Sequence, residues 1–135
     1  MYLVDTSVWI DFLRGKATPR VRALRELLGG DQIVGVAPII LQEVLQGADS
    51  EQRFERWRRY FTGLCCYAPR DAVTTHVEAA RMYQSCRRAG KTPRSSSDCL
   101  IARIAIEHAL VLLHDDRDFN VIAETIPDLK LYAVQ

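Results

Sequence analysis

Short aliphatic runs alternate with longer segments of helical periodicity along the whole chain. The runs are continuous in aliphatic character rather than alternating with polar residues, which predicts short strands buried on both faces. They lie at residues 1–4, 32–37, 64–68, 110–113 and 130–134. Strands of this kind, separated by helices, indicate the α/β class, with a central, mostly parallel β-sheet flanked by helices on both faces.

The intervening segments carry helix start and stop signals. They span residues 5–15, 18–30, 38–47, 50–63, 70–90, 98–109 and 117–126. Polar residues with capping oxygens precede several of them, and glycines follow several of them. In the segment 70–90, apolar side chains recur at Val73, Val77, Ala80 and Tyr83, and this spacing predicts that they form the buried face.

Length and composition narrow the class of protein. The 135 residues predict one domain, residues 1–135, and the net charge of +1 gives no global preference for nucleic acid or membrane. No apolar run approaches the roughly 20 residues of a membrane span, and the amino terminus has no basic segment typical of a signal peptide. The four cysteines lack C-x-x-C spacing and are expected to be small core residues in a reducing, cytoplasmic setting.

Several carboxylates fall where the strands end. Asp5 follows the first strand, and Asp115 and Asp116 follow the fourth. Asp98 lies in the first turn of the helix that leads into the fourth strand, and Glu43 lies in the helix after the second. Because ligands of parallel α/β sheets bind at the carboxyl ends of the strands, all of these acids can approach one edge.

Taken singly, each acid has an ordinary structural interpretation. Asp5 and Asp98 are acceptable helix caps, Glu43 is acceptable as a solvated helix residue, and the DDRD run is acceptable as a hydrated turn. Taken together, they would repel one another and lose stability unless a cation neutralised them. A hard divalent ion such as Mg²⁺ takes oxygen ligands, so the set points to a metal site.

The motifs at these positions resemble those of PIN-domain ribonucleases. In chain order they are VDTSVWIDF, the glutamate of LQEVLQG, RSSSDCLIARIA and LLHDDRDF. More narrowly, the chain resembles the VapC-type toxin of a prokaryotic type II toxin–antitoxin system. The resemblance implies a PIN-like domain and an Mg²⁺- or Mn²⁺-dependent endoribonuclease. Such an enzyme hydrolyses RNA phosphodiester bonds with a metal-activated water, leaving a 5′-phosphate and a 3′-hydroxyl.

The resemblance also assigns residues to roles. The catalytic acids it implies are Asp5, Glu43, Asp98 and Asp116. The metal ligands among them are Asp5, Asp98 and Asp116. The auxiliary residues it implies are Thr6, Ser7 and Asp118. His114 departs from the pattern, because many relatives have Thr or Ser at that position, and this leaves open which side chain orients the acidic pocket there.

A local basic segment, RRAGKTPR, precedes Asp98. Phosphate contacts from such a segment position an RNA strand without reading its sequence, and Arg94 and Lys91 are the predicted RNA-binding residues. The alternative is a solvated helix end, at which Arg87 and Arg88 complement the helix dipole.

Other functions stay open at this point. One is a degenerate PIN-like module that binds RNA or protein without catalysis. Another is a haloacid-dehalogenase-like phosphatase, which would need a second aspartate where Ser7 stands. For the toxin, the resemblance implies an RNA substrate such as tRNA or rRNA, a cognate VapB-type antitoxin, and a homodimer.

Overall fold

A computed structural model describes residues 1–134 and contains one five-stranded sheet whose strand pairings are all parallel. The strands are β1 (Tyr2–Val4), β2 (Val34–Val36), β3 (Cys65–Cys66), β4 (Val111–Leu113) and β5 (Lys130–Leu131). Their order across the sheet is β3-β2-β1-β4-β5, so β1 lies in the middle. The predicted α/β class is confirmed, and the carboxyl ends of β1 and β4 are neighbours.

The helices found between the strands correspond to the segments predicted from periodicity. They are α1 (Thr6–Leu13), α2 (Pro19–Gly29), α3 (Pro38–Gln46), α4 (Glu51–Thr62), α5 (Ala72–Arg88), α6 (Ser96–Glu107) and α7 (Arg117–Thr125). Helices α1 to α4 pack in one connected group and α5 to α7 in another, and α3 also contacts α6. Within the described part of the chain, no helix is both long and apolar enough to cross a membrane.

Local capping explains where several helices begin. The hydroxyl of Thr18 accepts a hydrogen bond from the Val21 N–H at 3.1 Å, and that of Ser50 accepts one from the Arg53 N–H at 3.1 Å. These bonds satisfy N–H groups that have no partner inside the helix. Because both partners lie within one turn, such starts could be predicted from sequence alone.

The aromatic part of the core lies between α1 and α4. Trp9 is fully buried, and its ring meets Phe61 edge-on at a centroid distance of 4.8 Å and Phe12 at 5.8 Å. Such edge-to-face pairs add to the free energy gained from burial. They hold α1 in place, and the first residue of this helix directly follows Asp5.

The predicted buried face of α5 is wrong at three of its four residues. Val73 is 73% exposed, Val77 is 49% exposed and Ala80 is exposed as well, while Tyr83 is half-buried and packs against the core. The buried side chains of this helix are instead Thr75, Ala79, Met82 and Cys86. Both stripes have helical spacing, so periodicity could not choose between them. Thr75 is tolerated inside because its hydroxyl donates to Glu107 Oε1 at 2.5 Å.

The cysteines are only partly core residues. Cys86 and Cys99 are buried as expected, but Cys65 and Cys66 are exposed. The exposed pair forms β3, the strand at one edge of the sheet. An edge strand is covered less than a central one, which explains why an apolar run there is not fully buried.

We expect Gly35→Ala to destabilise the protein. A Cβ at this position would overlap the Tyr67 ring and lie 2.8 Å from the Cys65 carbonyl oxygen, and the backbone cannot yield easily in β2. The free energy of unfolding should fall by about 2 kcal/mol, as for other overpacked core sites. Urea unfolding followed by circular dichroism would measure the change.

Gly29→Ala is the matched control for this substitution. A Cβ on Gly29 meets no atom within 4 Å, and Gly29 is the last residue of helix α2. The free energy of unfolding of this variant should therefore be unchanged or slightly raised. Equal stability of the two variants would show that the close approach of Tyr67 to Gly35 does not constrain the fold.

Candidate metal centre

Asp5 joins the end of β1 to the start of α1. Its backbone N–H donates to the Leu113 carbonyl oxygen at 2.9 Å, which holds Asp5 beside the end of β4. Its Oδ2 accepts hydrogen bonds from the N–H (3.1 Å) and the hydroxyl (2.6 Å) of Ser7. Burial raises the pKa of Asp5, the bonds from Ser7 oppose that effect, and the charge of Asp116 raises the pKa further. Asp5 is therefore both a helix cap and one of a group of interacting acids.

Glu43 is brought to the same place by Thr6. The Thr6 hydroxyl donates to Glu43 Oε1 at 2.9 Å, which ties α3 to the first residue of α1. Burial raises the pKa of Glu43, the Thr6 hydrogen bond lowers it, and the charge of Asp5 raises it. The glutamate predicted from the motif thus lies close enough to Asp5 to interact with its charge.

Asp98 has the most unusual environment of the acids. It lies in the first turn of α6 and is only 6% exposed. Its Oδ2 is buried and finds no hydrogen-bond donor among residues 1–134. Burial raises the pKa of Asp98 to about 7, assisted by the charges of Asp116, Asp5, Asp118 and Glu43. These contributions show that all of the predicted acids act on one buried carboxylate.

Asp116 and Asp118 complete the group from the start of α7. Asp116 caps this helix, since its Oδ1 accepts a hydrogen bond from the Asp118 N–H at 2.9 Å. One carboxylate oxygen from each of Asp98, Asp116 and Asp118 lies within 4.8 Å of the other two. The sequence had suggested Asp5 as the third ligand and Asp118 as an auxiliary residue. In the structure, Asp118 belongs to the tight group and Asp5 lies beside it.

His114 and Arg20 position the loop that carries Asp116. His114 is buried, its ring packs against Phe119 at a centroid distance of 5.2 Å, and its Nδ1 accepts a hydrogen bond from the Asp116 N–H at 3.2 Å. Burial lowers the pKa of His114, which favours the neutral imidazole that can accept this bond. Arg20 Nε donates to the His114 carbonyl oxygen at 2.8 Å and pairs with Asp115 at 3.3 Å.

Arg20 could not be predicted from the sequence, because it lies in α2, far along the chain from the loop it holds. The only sequence signal at His114 is its departure from the family motif. The ring of His114 supplies the orienting contact that the sequence left open. Ser7 adds to the support, since its hydroxyl oxygen accepts a hydrogen bond from the Asp115 N–H at 3.2 Å.

The two cations predicted to bind RNA are both engaged with acids of the chain. Arg94 Nε lies 3.1 Å from Asp118 Oδ2, and its Nη2 lies 3.2 Å from Asp116 Oδ1. Lys91 Nζ lies 2.6 Å from Glu124 Oε2. Arg94 is therefore close to the acids of the site, as the sequence suggested, whereas Lys91 pairs with a glutamate outside that group.

The residues fit a divalent cation. The ligand atoms on offer are carboxylate oxygens, which suit hard ions such as Mg²⁺ and Mn²⁺ rather than ions that prefer sulfur. The Oδ2 atom of Asp98, buried and without a donor in the described chain, is the group that such an ion would satisfy. The helix and loop contacts of the other acids already hold them near it.

The chain is similar to known proteins over most of its length. Residues 2–125 match the family model of the PIN domain. Ribonuclease VapC11 of Mycobacterium tuberculosis is 36% identical over 124 residues, which cover 91% of this chain and 92% of the relative. Ribonuclease VapC51 of the same species is 32% identical over 123 residues, covering 90% of this chain and 85% of the relative.

Solved structures share the fold. The structure of VapBC2 from Rickettsia felis bound to a promoter DNA fragment superimposes with a TM-score of 0.73 and 15% identity, covering 97% of this chain and 96% of that one. At this identity the likeness speaks for the fold alone. The parallel sheet and the placement of its helices are thus shared with toxin–antitoxin structures.

We expect the metal-free protein to lose stability as pH rises from about 4 to about 7, and Asp98→Asn to reduce that loss. The pKa of Asp98 is about 7 in the folded chain against 3.8 for an ordinary aspartate, so between these values the folded state binds more protons than the unfolded state. Stability must then fall with rising pH. In EDTA at pH 8 the variant should be more stable than the wild type by on the order of 2 kcal/mol.

Thermal unfolding of both forms at pH 4 and pH 8 provides the comparison. Near pH 4 the two forms should differ little, because Asp98 is then neutral in the folded protein and about half protonated in the unfolded chain as well. The same difference in stability at both pH values would contradict the raised pKa of Asp98.

Proposed function

The chain belongs to the PIN-domain family and, within it, to the VapC ribonucleases, so it is a nuclease that acts on RNA; we propose that it is a divalent-metal-dependent endoribonuclease and the toxin of a toxin–antitoxin pair. The observation that carries this proposal is the buried Asp98 carboxylate. Its Oδ2 finds no donor among residues 1–134, and four other carboxylates act on it. Such an arrangement costs stability without a cation and binds one well.

Asp98, Asp116 and Asp118 would hold an Mg²⁺ or Mn²⁺ ion, with Asp5 next to them. When bound, the ion neutralises charge on the scissile phosphate and lowers the pKa of water in its coordination shell. Ser7 keeps the Asp5 carboxylate in place with two hydrogen bonds. The acids are thereby held in position before the substrate arrives, which reduces the reorganisation needed during the reaction.

Glu43 is the proposed general base. Thr6 holds its Oε1, which leaves Oε2 to take a proton from the attacking water. Burial raises the pKa of Glu43 towards the working pH, and such a shift improves a carboxylate as a base. Attack of the water oxygen on phosphorus breaks the bond to the 3′-oxygen. One product then carries a 5′-phosphate, and the other carries a 3′-hydroxyl once that oxygen takes up a proton.

The rival functions have less support. A haloacid-dehalogenase-like phosphatase needs a second aspartate two residues after Asp5, and that position is occupied by Ser7, which donates its hydroxyl hydrogen to Asp5. A module that only binds RNA or protein would gain nothing from a buried group of acids around Asp98, because carboxylates repel RNA phosphates. Both considerations favour the nuclease.

For the substrate we propose structured RNA such as tRNA or rRNA, as the family resemblance implies. Arg94 and Lys91 are the proposed phosphate contacts. Arg87 and Arg88, at the end of α5, are exposed and extend the same basic segment. Contacts of this kind hold the backbone and do not select the sequence, so selection of the cleavage site needs other surfaces.

For the partner we propose a VapB-type antitoxin that occupies the cavity between α1, α3 and α4. This cavity of about 620 Å³ has apolar walls that include Ile10, Leu13 and Trp57, and several arginines at its rim. Among the described residues, Arg56 forms no ion pair, and it also borders two neighbouring cavities. An amphipathic helix with acidic residues beside its apolar face fits these walls.

A homodimer is the remaining partner implied by the family. The exposed apolar side chains of α5, Val73 and Val77, are available for a contact between copies. Exposed apolar side chains on a helix are a usual component of interfaces between copies of a protein. The buried area of an interface does not by itself set the affinity of the dimer. Size measurement in solution would test this part of the proposal.

We expect Asp5→Asn to abolish RNA cleavage without unfolding the protein. Asparagine caps a helix as well as aspartate does, so α1 should persist, while a negative charge next to the proposed ion is lost. Cleavage of total RNA in Mg²⁺ or Mn²⁺ should fall by roughly 10²-fold or more.

Asp11→Asn is the control, because Asp11 lies on the same helix but pairs with Lys16 instead of the other acids. It should cut RNA at the wild-type rate, and EDTA should stop both the control and the wild type. A folded Asp5→Asn protein that cleaves RNA as fast as the wild type would contradict the proposed mechanism.

We expect Arg56→Glu to weaken the antitoxin complex. Reversing a rim charge removes electrostatic steering, so at low salt association with the cognate antitoxin should slow by about tenfold. Arg88→Glu, an exposed change at the far end of α5, is the control and should leave the association rate unchanged. Equal rates for both variants, measured by surface binding kinetics, would place the antitoxin on another surface.

A further inference from the structure

Arg94 contacts two of the three clustered carboxylates at once. Its Nε donates to Asp118 Oδ2 at 3.1 Å, and its Nη2 donates to Asp116 Oδ1 at 3.2 Å. Its backbone N–H donates to the same Asp118 oxygen at 3.1 Å. The guanidinium therefore bridges acids whose oxygens, with one from Asp98, lie within 4.8 Å of one another.

The bridging side chain can leave without disrupting the loop. It is 63% exposed, whereas the side chain of Asp118 is 7% exposed. If the guanidinium turned towards solvent, the backbone N–H of Arg94 would still hold Asp118, and the N–H of Asp118 would still hold Asp116. The contacts of the main chain thus keep the acids in place, while the contacts of the guanidinium add only charge neutralisation.

The guanidinium is the counter-ion of these two acids. Among residues 1–134, no other Lys or Arg pairs with Asp116 or Asp118. The guanidinium does not reach Asp98, whose Oδ2 is left without a donor in the same part of the chain. The cluster is therefore only partly neutralised by the protein itself.

We propose that Arg94 is an exchangeable counter-ion: its guanidinium and the divalent cation compete for the oxygens of Asp116 and Asp118. Binding of the cation then releases the guanidinium towards solvent, where it contacts an RNA phosphate. Two positive groups cannot share these oxygens at contact distance without strong repulsion. The inference rests on the proposed metal-dependent nuclease and adds a way to couple metal loading to substrate binding.

This exchange makes a prediction that an ordinary structural ion pair does not make. If Arg94 only held the acids in place, its loss would disorder them and weaken metal binding. If Arg94 competes with the metal, its loss must strengthen metal binding and, in the loaded protein, weaken RNA binding. A single variant that lacks Arg94 should therefore bind the metal more tightly and RNA more weakly.

Titration of the full chain with Mn²⁺, followed by electron paramagnetic resonance, tests the competition. Arg94→Gln should bind Mn²⁺ roughly fivefold to tenfold more tightly than the wild type. Arg117→Gln is the matched control. It removes the same charge at the position that lies between Asp116 and Asp118 in the sequence, and within residues 1–134 these two acids pair with Arg94 and not with Arg117. The control should stay within about twofold of the wild type.

Two results would overturn the inference without contradicting the proposed metal site. One is Mn²⁺ binding by Arg94→Gln that equals or falls below that of the wild type. The other is equal tightening in Arg117→Gln, which would show a general effect of net charge. Failure of every form to bind Mn²⁺ would instead overturn the proposed metal-dependent function, and the inference with it.

The release of Arg94 towards RNA is tested with a fluorescent single-stranded RNA of mixed sequence in a Glu43→Gln background, which prevents cleavage. With Mn²⁺ present, adding Arg94→Gln should lower the RNA affinity by about threefold, because a phosphate contact is lost. In EDTA it should have no such effect, because the guanidinium is then held by Asp116 and Asp118. An equal loss in both conditions would overturn the release step.

Discussion

The site depends on one constraint, which is electrostatic repulsion. Its carboxylates are partly or fully buried at one edge of a parallel sheet, and there they repel one another. The order of the strands places β1 beside β4, so the acids that follow these strands must meet. Neighbouring hydroxyl groups donate hydrogen bonds to Asp5 and Glu43, and neighbouring backbone N–H groups donate to Asp116 and Asp118. Asp98 lacks such help at Oδ2 and has a pKa of about 7. The structure thus concentrates its unsatisfied charge on one atom, which is the arrangement that a cation relieves.

The same constraint connects the functions of the site. A metal ion that satisfied Asp98 would also use the carboxylates of Asp116 and Asp118, and these carboxylates already pair with Arg94. In the proposed enzyme, metal binding is therefore linked to release of the Arg94 guanidinium from Asp116 and Asp118. Helix α1 links the acids to the cavity between α1, α3 and α4, because Asp5 caps its first turn and Ile10 and Leu13 line that cavity. A partner in the cavity would therefore contact the helix that positions the first acid.

Much of the fold could be predicted because its determinants are local. Continuous aliphatic runs indicated the strands, and capping oxygens such as those of Thr18 and Ser50 indicated where helices begin. The buried face of α5 could not be predicted, since the exposed Val73 and Val77 have the same helical spacing as the buried Ala79 and Met82. Which stripe turns inward depends on the helices packed against α5, and a pattern within one helix carries no information about them.

By itself, the sequence determined the fold class and indicated which acids follow the strands, since Asp5 directly follows the first aliphatic run and Asp116 lies just after the fourth. That these two strands are neighbours is a result of the tertiary structure. Only the tertiary structure decided which oxygens approach closely, with Asp118 rather than Asp5 joining Asp98 and Asp116. It also decided that Arg94 faces these acids. The physical reason is that contacts within one helical turn follow from local geometry. Distances between side chains 20 or more residues apart follow instead from how helices pack on the sheet.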